Sequence, residues 1–338
     1  MLMKYGTGEF KNVYRPRSIE YVVGHKHVKK FLVNSIKEKT LPQVLMFYGQ
    51  RGVGKTTLAR IIAMGLNCEE GVSLSPCGVC DNCMSIFSGS NPDFREINVA
   101  DKTGIDNVRA LGETFKMSPM YLNNKVYVLD ECHMLSKQGQ NAILKELEDT
   151  PKNIYIIFCT TSKENLIPTL LDRCYDFYFK PLTNDELLSV VYDILAVEGQ
   201  TVNEDVVQGL VNVADGSVRN LVVSLQKILL AGVKDLDGAS EILGTEILRQ
   251  HDIKHLSKAI LERDNRKAFK LIEKYSYVDC DLARKNLINY FGSILLRAGR
   301  ENIKKANHLS NVISVLSSNI DNPAKGLFVN DIFKILTF

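Results

Sequence analysis

The sequence contains no tryptophan and no long hydrophobic run among its 338 residues. No stretch approaches the roughly 18 consecutive apolar residues that a membrane-spanning helix needs. The first ten residues include Lys4 and Glu9 and have no apolar centre, so they do not resemble a secretion signal. We therefore expect a cytoplasmic protein that does not interact with a membrane.

A strong charge of either sign is also missing. The formal net charge is +3, with 42 basic and 39 acidic residues, and this does not by itself indicate a nucleic-acid partner. The basic excess lies in residues 246–338, where 16 lysines and arginines outnumber 10 aspartates and glutamates. Any DNA contact made by residues 1–245 must therefore come from individually placed side chains.

Apolar residues make up 45% of the chain, and a chain of this length is expected to form roughly two or three domains. Up to about residue 179, short apolar runs rich in β-branched residues alternate with amphipathic helical patterns. This alternation predicts an α/β fold with helices wound around a parallel sheet. The predicted strands cover residues 44–48, 94–99, 126–129, 154–159 and 176–179. The helical patterns cover residues 55–66, 107–115 and 139–147.

Beyond Pro181 the strand pattern ends and the sequence becomes helical. Thr183 and Glu186 form a capping box that starts an amphipathic helix. Three glycines in residues 231–244 predict a linker there. The predicted division is an α/β domain over residues 1–180, a small helical lid over 181–244 and an all-α domain over 245–338.

Residues 49–56 have the sequence Gly-Gln-Arg-Gly-Val-Gly-Lys-Thr, which matches the phosphate-binding pattern G-x-x-x-x-G-K-[ST] between a strand and a helix. Its backbone N–H groups can converge on phosphate oxygens at the positive end of the helix dipole. Lys55 supplies a mobile positive charge, and the Thr56 hydroxyl is a Mg²⁺ ligand. A simple glycine-rich turn is the alternative. The residues expected to surround the phosphates of ATP are Gly49, Gln50, Arg51, Gly52, Val53, Gly54, Lys55, Thr56 and Thr57.

Two carboxylates, Asp130 and Glu131, follow the apolar run 126–129. At the carboxyl end of a strand beside the phosphate loop, Asp130 is expected to hold the Mg²⁺ shell. Glu131 is expected to accept a proton from the attacking water. Alone, such a pair is usual at the solvated start of a loop. About 75 residues behind a phosphate-binding pattern, it predicts a site that hydrolyses a nucleoside triphosphate.

Four of the eight cysteines lie within sixteen residues. A disulfide framework is not expected in so long a chain without an export signal. Four thiols are what a structural, tetrahedral zinc site needs. The spacing before the second cysteine differs from the usual paired C-x₂-C pattern, so thiol redox chemistry or an iron–sulfur cluster remains an alternative. The predicted zinc ligands, within an insertion over about residues 67–90, are Cys68, Cys77, Cys80 and Cys83.

Together, these motifs resemble those of the ATP-hydrolysing gamma/tau subunits of the bacterial DNA polymerase III clamp loader, which belong to the AAA+ class. The resemblance is close over roughly the first 230 residues and loose over the helical remainder. A cysteine module beside an intact phosphate loop is its most specific part, because related archaeal and eukaryotic loaders are not expected to carry one. The matching segments are Tyr14–Pro16, Val22–Gly24, the phosphate loop, Pro76–Cys83, Asp130–Ser136, Asn141–Glu148, Thr160–Thr161, Leu171–Cys174 and Asp215–Arg219.

The roles of several further residues are implied by this resemblance. Thr160 matches the sensor-1 residue that reads the γ-phosphate, and Arg219 matches sensor 2. Arg173 matches the arginine finger that reaches the nucleotide of the neighbouring subunit. Val22 and Val23 match positions that border the bound nucleotide. For Arg219 the sequence adds a hint, because an arginine in the first turn of a helix opposes the helix dipole and indicates a nearby anion.

Three departures from the family pattern affect these expectations. Asp172 stands where the family has serine, and we expect this carboxylate to hold Arg173 when no neighbour is docked. Gln140 stands where an apolar residue is usual. The chain ends at Phe338 without the long extension that holds polymerase and helicase in the longer form of the subunit, so it resembles the short form.

DNA contacts are also implied by the resemblance, from a helix that matches residues 100–110. Lys102, Thr103 and Arg109 are the candidate contacts to the DNA backbone, while Gly104 replaces a usual basic residue. Solvated charges on an exposed helix are an equally simple interpretation.

The function implied by the resemblance is that of a motor subunit in a clamp loader. It would hydrolyse ATP with Mg²⁺ within a ring of about five loader subunits. The ring would open a sliding clamp and load it on primer–template DNA during replication, while Zn²⁺ would have a structural role. The expected location is the cytoplasm of a bacterium or, for a viral gene, of its bacterial host.

Two other functions remain open at this point. A non-hydrolysing scaffold subunit of the same assembly would not need an intact set of Lys55, Thr56, Asp130 and Glu131. Another AAA+ motor, of the helicase or initiator type, is expected to end in a DNA-binding winged helix. The last 90 or so residues, however, show no β-hairpin pattern.

Overall fold

The computed structural model describes residue 4 and residues 7–102, 105–243, 250–274, 280–298, 303–318 and 325–337. The chain divides into two compact units. The first comprises Met1–Val197 with Gly216–Arg219, and the second comprises Glu198–Asp215 with Asn220–Phe338. The division into three domains, with boundaries at residues 180 and 244, remains a prediction.

A parallel sheet forms the centre of the first unit. Its strands are β1 (Val44–Gly49), β2 (Phe94–Asn98), β3 (Lys125–Asp130), β4 (Ile154–Thr160) and β5 (Tyr175–Phe179). They lie side by side in the order β2-β3-β4-β1-β5, and every neighbouring pair is parallel. The predicted α/β fold is therefore confirmed, and the ends of the five predicted strands differ from the observed ends by no more than one residue.

Helices cover both faces of this sheet. Up to residue 198 they are α1 (Phe10–Val13), α2 (Lys26–Lys37), α3 (Lys55–Asn67), α4 (Asp81–Ser88), α5 (Ile105–Glu113), α6 (Lys137–Leu147), α7 (Pro168–Leu171) and α8 (Asn184–Glu198). Alternate strand residues point to opposite faces. Phe47 packs in one apolar cluster with residues of α2, α3 and α4. Its neighbour Met46 packs in a second cluster with residues of α5, α6 and α7.

Local hydrogen bonds determine where two of these helices begin. The Ser136 side chain accepts a hydrogen bond of 3.1 Å from the Gly139 N–H at the start of α6. The Thr183 N–H donates to Glu186 Oε2 over 3.0 Å, and the Glu186 N–H donates to Thr183 Oγ1 over 3.3 Å. This reciprocal pair is the predicted capping box at the start of α8.

The described residues of the second unit form helices joined by turns and loops, with no strand among them. Its elements are α9 (Glu204–Ala214), α10 (Val218–Ala231, which begins in the first unit), α11 (Leu236–Leu243), α12 (Gln250–Leu261), α13 (Asn265–Lys274), α14 (Cys280–Ala298), α15 (Ile303–Ser317) and α16 (Lys325–Thr337). One apolar cluster joins α12 to α16. Within it, Arg284 and Asp331 form an ion pair of 2.9 Å in which both side chains are fully buried.

The prediction of a linker over residues 231–244 is wrong, because a helix occupies most of this range. Gly232, with a φ of 65°, ends α10, but α11 begins four residues later. Asp235 Oδ1 accepts a hydrogen bond of 2.9 Å from the Gly238 N–H and so caps the new helix. Leu236 and Ala239 on α11 are buried, so apolar spacing outweighed the glycines. Gly244 lies outside the described residues.

Two absences among the described residues bear on expectations from the sequence, one on a winged helix and one on a membrane-spanning helix. Beyond Phe179, the described segments contain helices and no strand, so they show no β-hairpin of a winged helix. Within the same described part of the chain, no helix has both the length and the apolar character needed to cross a bilayer.

Candidate nucleotide site

The predicted phosphate loop connects β1 to α3 at the carboxyl edge of the sheet. Gly49 and Gly52 have φ angles of 142° and 80°, values that side chains rarely allow. A Cβ atom on Gly52 would lie 2.2 Å from Ser217 Oγ, and one on Gly49 would lie 2.2 Å from the Phe179 carbonyl oxygen. Both positions therefore need glycine for space as well as for conformation.

Lys55 is buried inside this loop. Its amine donates hydrogen bonds to the carbonyl oxygens of Gly49 over 2.6 Å and of Gln50 over 2.8 Å. Burial lowers the pKa of the Lys55 amine, although nearby acidic groups act in the opposite direction. The amine is thus held where a phosphate oxygen can replace one carbonyl partner. Thr57, in the first turn of α3, is half-buried.

Thr56 and Asp130 meet across the edge of the sheet. The Thr56 hydroxyl, on the first turn of α3, donates to Asp130 Oδ2 at the end of β3 over 3.0 Å. The other carboxylate oxygen of Asp130 accepts the Glu131 N–H over 3.0 Å. A hydroxyl and a carboxylate side by side are ligands that Mg²⁺ prefers in proteins, so the residues present fit this ion.

Glu131 follows in a left-handed conformation, with a φ of 53°. Its Oε1 atom lies 3.9 Å from Arg51 Nε, a contact in which the arginine side chain is 78% exposed. Its Oε2 atom is buried and, among the described residues, has no hydrogen-bond partner. The carboxylate is therefore near the phosphate loop but only loosely held there.

Thr160 is fully buried at the end of β4, where it pairs in register with Tyr48 of β1. Its hydroxyl has contacts with Ser162 and with His133 Nδ1, the latter over 3.0 Å. The same His133 nitrogen lies 3.5 Å from Glu131 Oε2. His133 lies within the segment Asp130–Ser136 that matches the family, but sequence assigned it no role, because its contact with Thr160 depends on the pairing of β3 with β4.

Arg219 also reaches the phosphate loop. Its N–H donates to the Gly52 carbonyl oxygen over 3.3 Å, and residues 216–219 belong to the same unit as the sheet. The positive charge of Arg219 is among the influences that lower the pKa of Lys55, after burial. The structure therefore brings the backbone and charge of Arg219 to the loop that also holds Lys55.

Val22 and Val23 lie in the segment that precedes α2. Val22 is buried, and Val23 is half-buried. In the same segment, His25 donates from Nε2 to the Val53 carbonyl oxygen over 2.9 Å and packs on the Phe179 ring. The sequence offered no signal for this role of His25, which ties the segment to the phosphate loop.

Arg173 lies after α7 and binds a carboxylate of its own chain. Its Nη2 atom donates to Glu148 Oε1, at the carboxyl end of α6, over 2.5 Å. The expectation that Asp172 holds Arg173 is therefore corrected: the carboxylate in contact is 25 residues away, because α6 and α7 pack together.

Gln140, the second departure from the family pattern, is buried on α6. Its Nε2 atom donates to the carbonyl oxygens of Leu135 over 3.0 Å and of Asn165 over 3.2 Å. Its Oε1 atom accepts the Ile167 N–H over 2.8 Å. The side chain thus joins α6 to the segment that leads from β4 into α7 and Arg173.

The four clustered cysteines lie together between α3 and the end of α4. Their Sγ atoms are all within 4.8 Å of one another. A tetrahedral site with Zn–S bonds of about 2.3 Å has sulfur–sulfur separations of about 3.8 Å, so small shifts suffice and the residues fit zinc. Hydrogen bonds from the Val79 and Cys80 N–H groups lower the pKa of the Cys77 thiol to about 7. These N–H groups favour the thiolate that a metal requires.

The segment that precedes Val22 packs against this cysteine module. Arg17 donates to the Gly78 carbonyl oxygen over 3.2 Å and lies 4.0 Å from the centre of the Phe87 ring. The Ile19 N–H donates to the Leu74 carbonyl oxygen over 3.0 Å. The module is therefore packed against the segment that precedes Val22.

The candidate DNA contacts lie largely outside what the structure describes. Arg109 is exposed on α5. Lys102 ends a 3₁₀ turn over Val99–Lys102, and its side chain is not among those described. Thr103 and Gly104 lie outside the described residues.

A parallel sheet that gathers a phosphate loop, a Thr–Asp pair and a polar strand end at one edge defines a P-loop protein. The RuvB Holliday junction branch migration motor of Thermotoga maritima has a similar fold, with a TM-score of 0.50 over 80% of this chain and 89% of that chain. The two sequences are 17% identical, so this likeness shows the fold alone.

A family model described as DNA polymerase III, delta subunit, matches residues 24–183. The DNA polymerase III subunit gamma/tau of Mycoplasma genitalium is 34% identical over 272 residues, which are 79% of this chain and 45% of that relative. The DNA polymerase III subunit gamma of Buchnera aphidicola from Schizaphis graminum is 32% identical over 268 residues, 78% of this chain and 73% of that relative. The chain belongs to the DNA polymerase III gamma/tau family. It spans less than half the length of several curated relatives that it matches.

Proposed function

We propose that this chain is an ATP-hydrolysing motor subunit of a sliding-clamp loader that acts in DNA replication. The observation that carries the proposal is the meeting of Thr56 with Asp130 beside the buried Lys55, at the edge where β4 also ends in Thr160. A scaffold that only holds its neighbours has no need for a phosphate loop, a Mg²⁺-ligand pair and a carboxylate base at one edge. Membership of the gamma/tau family supports the same function.

Each side chain at this edge has a proposed task. The N–H groups of the phosphate loop and the Lys55 amine bind the β- and γ-phosphates. Thr56 and Asp130 would hold Mg²⁺, which neutralises charge on those phosphates. Glu131 accepts the proton of the attacking water, and Thr160 and Arg219 contact the γ-phosphate. Val22 and Val23 border the rest of the nucleotide.

Partners follow from Arg173, which is exposed and held by a carboxylate of its own chain. In an assembly of several loader subunits, Arg173 reaches the nucleotide of its neighbour and stabilises charge on the transferring phosphoryl group. The assembly opens the clamp and binds primer–template DNA, with Lys102, Thr103 and Arg109 as contacts to the DNA backbone. We propose that this takes place in the bacterial cytoplasm.

Zinc has a structural place in this proposal. Cys68, Cys77, Cys80 and Cys83 would hold it as a closed four-thiolate site with no position for a substrate. The close grouping of the four sulfur atoms supports this assignment. The ion stabilises an insertion that packs against the segment before Val22.

The test is an ATPase assay of the reconstituted loader, with and without clamp and primed DNA. We expect clamp plus primed DNA to stimulate hydrolysis and Lys55→Ala at every motor position to abolish clamp loading. Glu131→Gln is expected to keep nucleotide binding and to lower turnover by ~100-fold or more. Full loading by the Lys55→Ala assembly would overturn the proposal, and unwinding of duplex DNA by the chain alone would favour a helicase.

A further inference from the structure

His133 lies in a 3₁₀ turn, Cys132–Met134, directly after β3. Its Nδ1 atom is 3.0 Å from Thr160 Oγ1 and 3.5 Å from Glu131 Oε2. One ring nitrogen therefore stands between the residue proposed to read the γ-phosphate and the residue proposed to act as the base. The His133 side chain is 17% exposed, so water competes weakly for these contacts.

The hydrogen bonds of Thr160 indicate which atom carries the proton between them. A hydroxyl has one hydrogen and two acceptor sites. The Ser162 N–H donates to Thr160 Oγ1 over 3.0 Å, and the Thr160 hydroxyl donates to the Ser162 carbonyl oxygen over 3.2 Å. When its hydrogen is used in this way, Thr160 accepts from His133 and Nδ1 is the donor; when the hydroxyl instead donates to Nδ1, the ring carries its hydrogen on Nε2 and the Ser162 carbonyl oxygen loses this bond. The first arrangement pairs more of these groups, which favours Nδ1 as the donor.

This arrangement leaves Thr160 with a single way to bind a ligand. With Nδ1 as the donor, both acceptor sites of Thr160 are filled, by Ser162 and by His133, and the hydroxyl hydrogen remains to turn toward a ligand. The buried Cys132 thiol also interacts with this hydroxyl. The oxygens of a terminal phosphate only accept hydrogen bonds. A turn of this hydrogen from the Ser162 carbonyl oxygen to a phosphate oxygen keeps both accepted bonds and needs no other rearrangement.

The same Nδ1–H group lies near the loosely held carboxylate of Glu131. Glu131 Oε2 is buried without a hydrogen-bond partner among the described residues, and Oε1 has only the distant contact with the exposed Arg51. The Nδ1–H group that donates to Thr160 lies 3.5 Å from this oxygen, so it attracts the Glu131 carboxylate electrostatically without a hydrogen bond between them. One imidazole is thus in contact with both side chains.

We propose that His133 is a positioning residue that fixes Thr160 as a donor to the γ-phosphate and holds Glu131 toward the attacking water. The inference rests on the proposed function, because it assigns a task within ATP hydrolysis. The proposed role requires a hydrogen-bond donor at the position of Nδ1 and not only a side chain of similar volume. It is therefore tested by one variant that keeps the volume without the donor and one that keeps a donor.

The first experiment compares His133→Leu with His133→Asn in the full chain. Leucine fills space without a donor, whereas the asparagine amide can place an N–H group near the position of Nδ1. We expect His133→Leu to lower kcat by ~10- to 100-fold, while the affinity for a fluorescent non-hydrolysable ATP analogue changes less than about threefold. His133→Asn is expected to recover most of the lost kcat. Unchanged kcat in the leucine variant, or equal losses in both variants with analogue binding intact, would overturn the inference.

A double-mutant cycle with Thr160→Val measures the coupling between His133 and Thr160 in kcat. A histidine with only a structural role would show no such coupling. His133→Leu should lower kcat by a smaller factor in the Thr160→Val background than in wild type, because the part of its effect that passes through Thr160 is already lost and only the part that passes through Glu131 remains. Independent, multiplying losses contradict the coupling. Failure of this inference is distinguishable from failure of the proposed function: in the second case, the wild-type assembly itself shows no Lys55-dependent hydrolysis.

Discussion

Arg173 and Glu148 are joined by a hydrogen bond of 2.5 Å that ties the residue after α7 to the carboxyl end of α6. The two side chains are 46% and 52% exposed. An ion pair in such an exposed position contributes at most about 1 kcal/mol. The pair therefore orients the guanidinium without holding it strongly, and a phosphate on a neighbouring subunit can replace the carboxylate.

The Glu148→Gln variant tests this exchange. Loss of the charge removes the competitor within the chain, so the concentration of chain needed for half-maximal ATPase of the reconstituted loader should fall, by up to about fivefold. Arg173→Ala should instead reduce the stimulated ATPase rate by ~1,000-fold, as expected for loss of an arginine finger. Titration of the loader subunits in an ATPase assay measures both effects.

The matched control is Asp172→Asn, which removes the neighbouring carboxylate that sequence alone had favoured as the partner. It should leave the titration unchanged, since the observed partner of Arg173 is Glu148. An equal effect of Glu148→Gln and Asp172→Asn would mean that the total negative charge near α7, and not the Arg173–Glu148 pair, controls assembly.

Gln140→Leu should destabilise the first unit by about 3 kcal/mol. The substitution restores an apolar residue but leaves the Ile167 N–H and two carbonyl oxygens buried without their present partner. Unpaired buried groups cost about 1–3 kcal/mol each. Urea unfolding measures the loss. Gln138→Leu, at an exposed position on the same helix, is the control, and a Gln140→Leu protein as stable as wild type would show that packing compensates for the lost bonds.

The parts of the site that sequence could predict are those with a local pattern. Lys55 and Thr56 occupy fixed places in one short loop, and Asp130 was expected beside it because it follows a strand of the parallel sheet. The place of Thr160 in the site was implied by the family resemblance. The start of α8 was likewise a local feature, because its capping box lies within four residues.

The parts that sequence could not predict depend on packing between distant elements. The contact of Arg173 with Glu148 needs the packing of α7 on α6, and the contact of His133 with Thr160 needs the pairing of β3 with β4. The linker prediction failed for a different reason. Glycine content suggested a break, whereas the buried Leu236 and Ala239, three residues apart, stabilise a helix.

His25 predicts a pH dependence of stability. Burial lowers the pKa of His25 below its ordinary value of 6.5, and the bond to the Val53 carbonyl oxygen only partly opposes this shift. The folded state therefore disfavours the charged ring, so His25 costs stability as the pH falls below 6.5 and costs nothing above it. In His25→Gln, whose amide can donate to the same carbonyl oxygen, the free energy of unfolding should fall less between pH 7 and 5.

Urea unfolding at several pH values measures this difference. Parallel curves for wild type and His25→Gln would show that His25 does not contribute to the acid sensitivity of the fold.

The cysteine module predicts one bound zinc per chain in protein purified without added metal. Removal of one thiolate leaves three ligands, which cannot close a tetrahedral structural site. Cys80→Ser should therefore lose most of its zinc. Because metal binding contributes to folding, the module should also become sensitive to proteolysis between α3 and β2. Elemental analysis and limited proteolysis measure the two effects.

Cys174→Ser is the matched control, because that thiol is also buried but donates to the Leu170 carbonyl oxygen, and it is not among the four grouped sulfur atoms. It should keep its zinc. Iron in the wild-type protein would support the iron–sulfur alternative, and a metal-free protein with intact, exchangeable thiols would support thiol chemistry. The lowered pKa of Cys77 is consistent with either zinc or redox chemistry, since both use the thiolate, so the identity of the metal is the measurement that separates them.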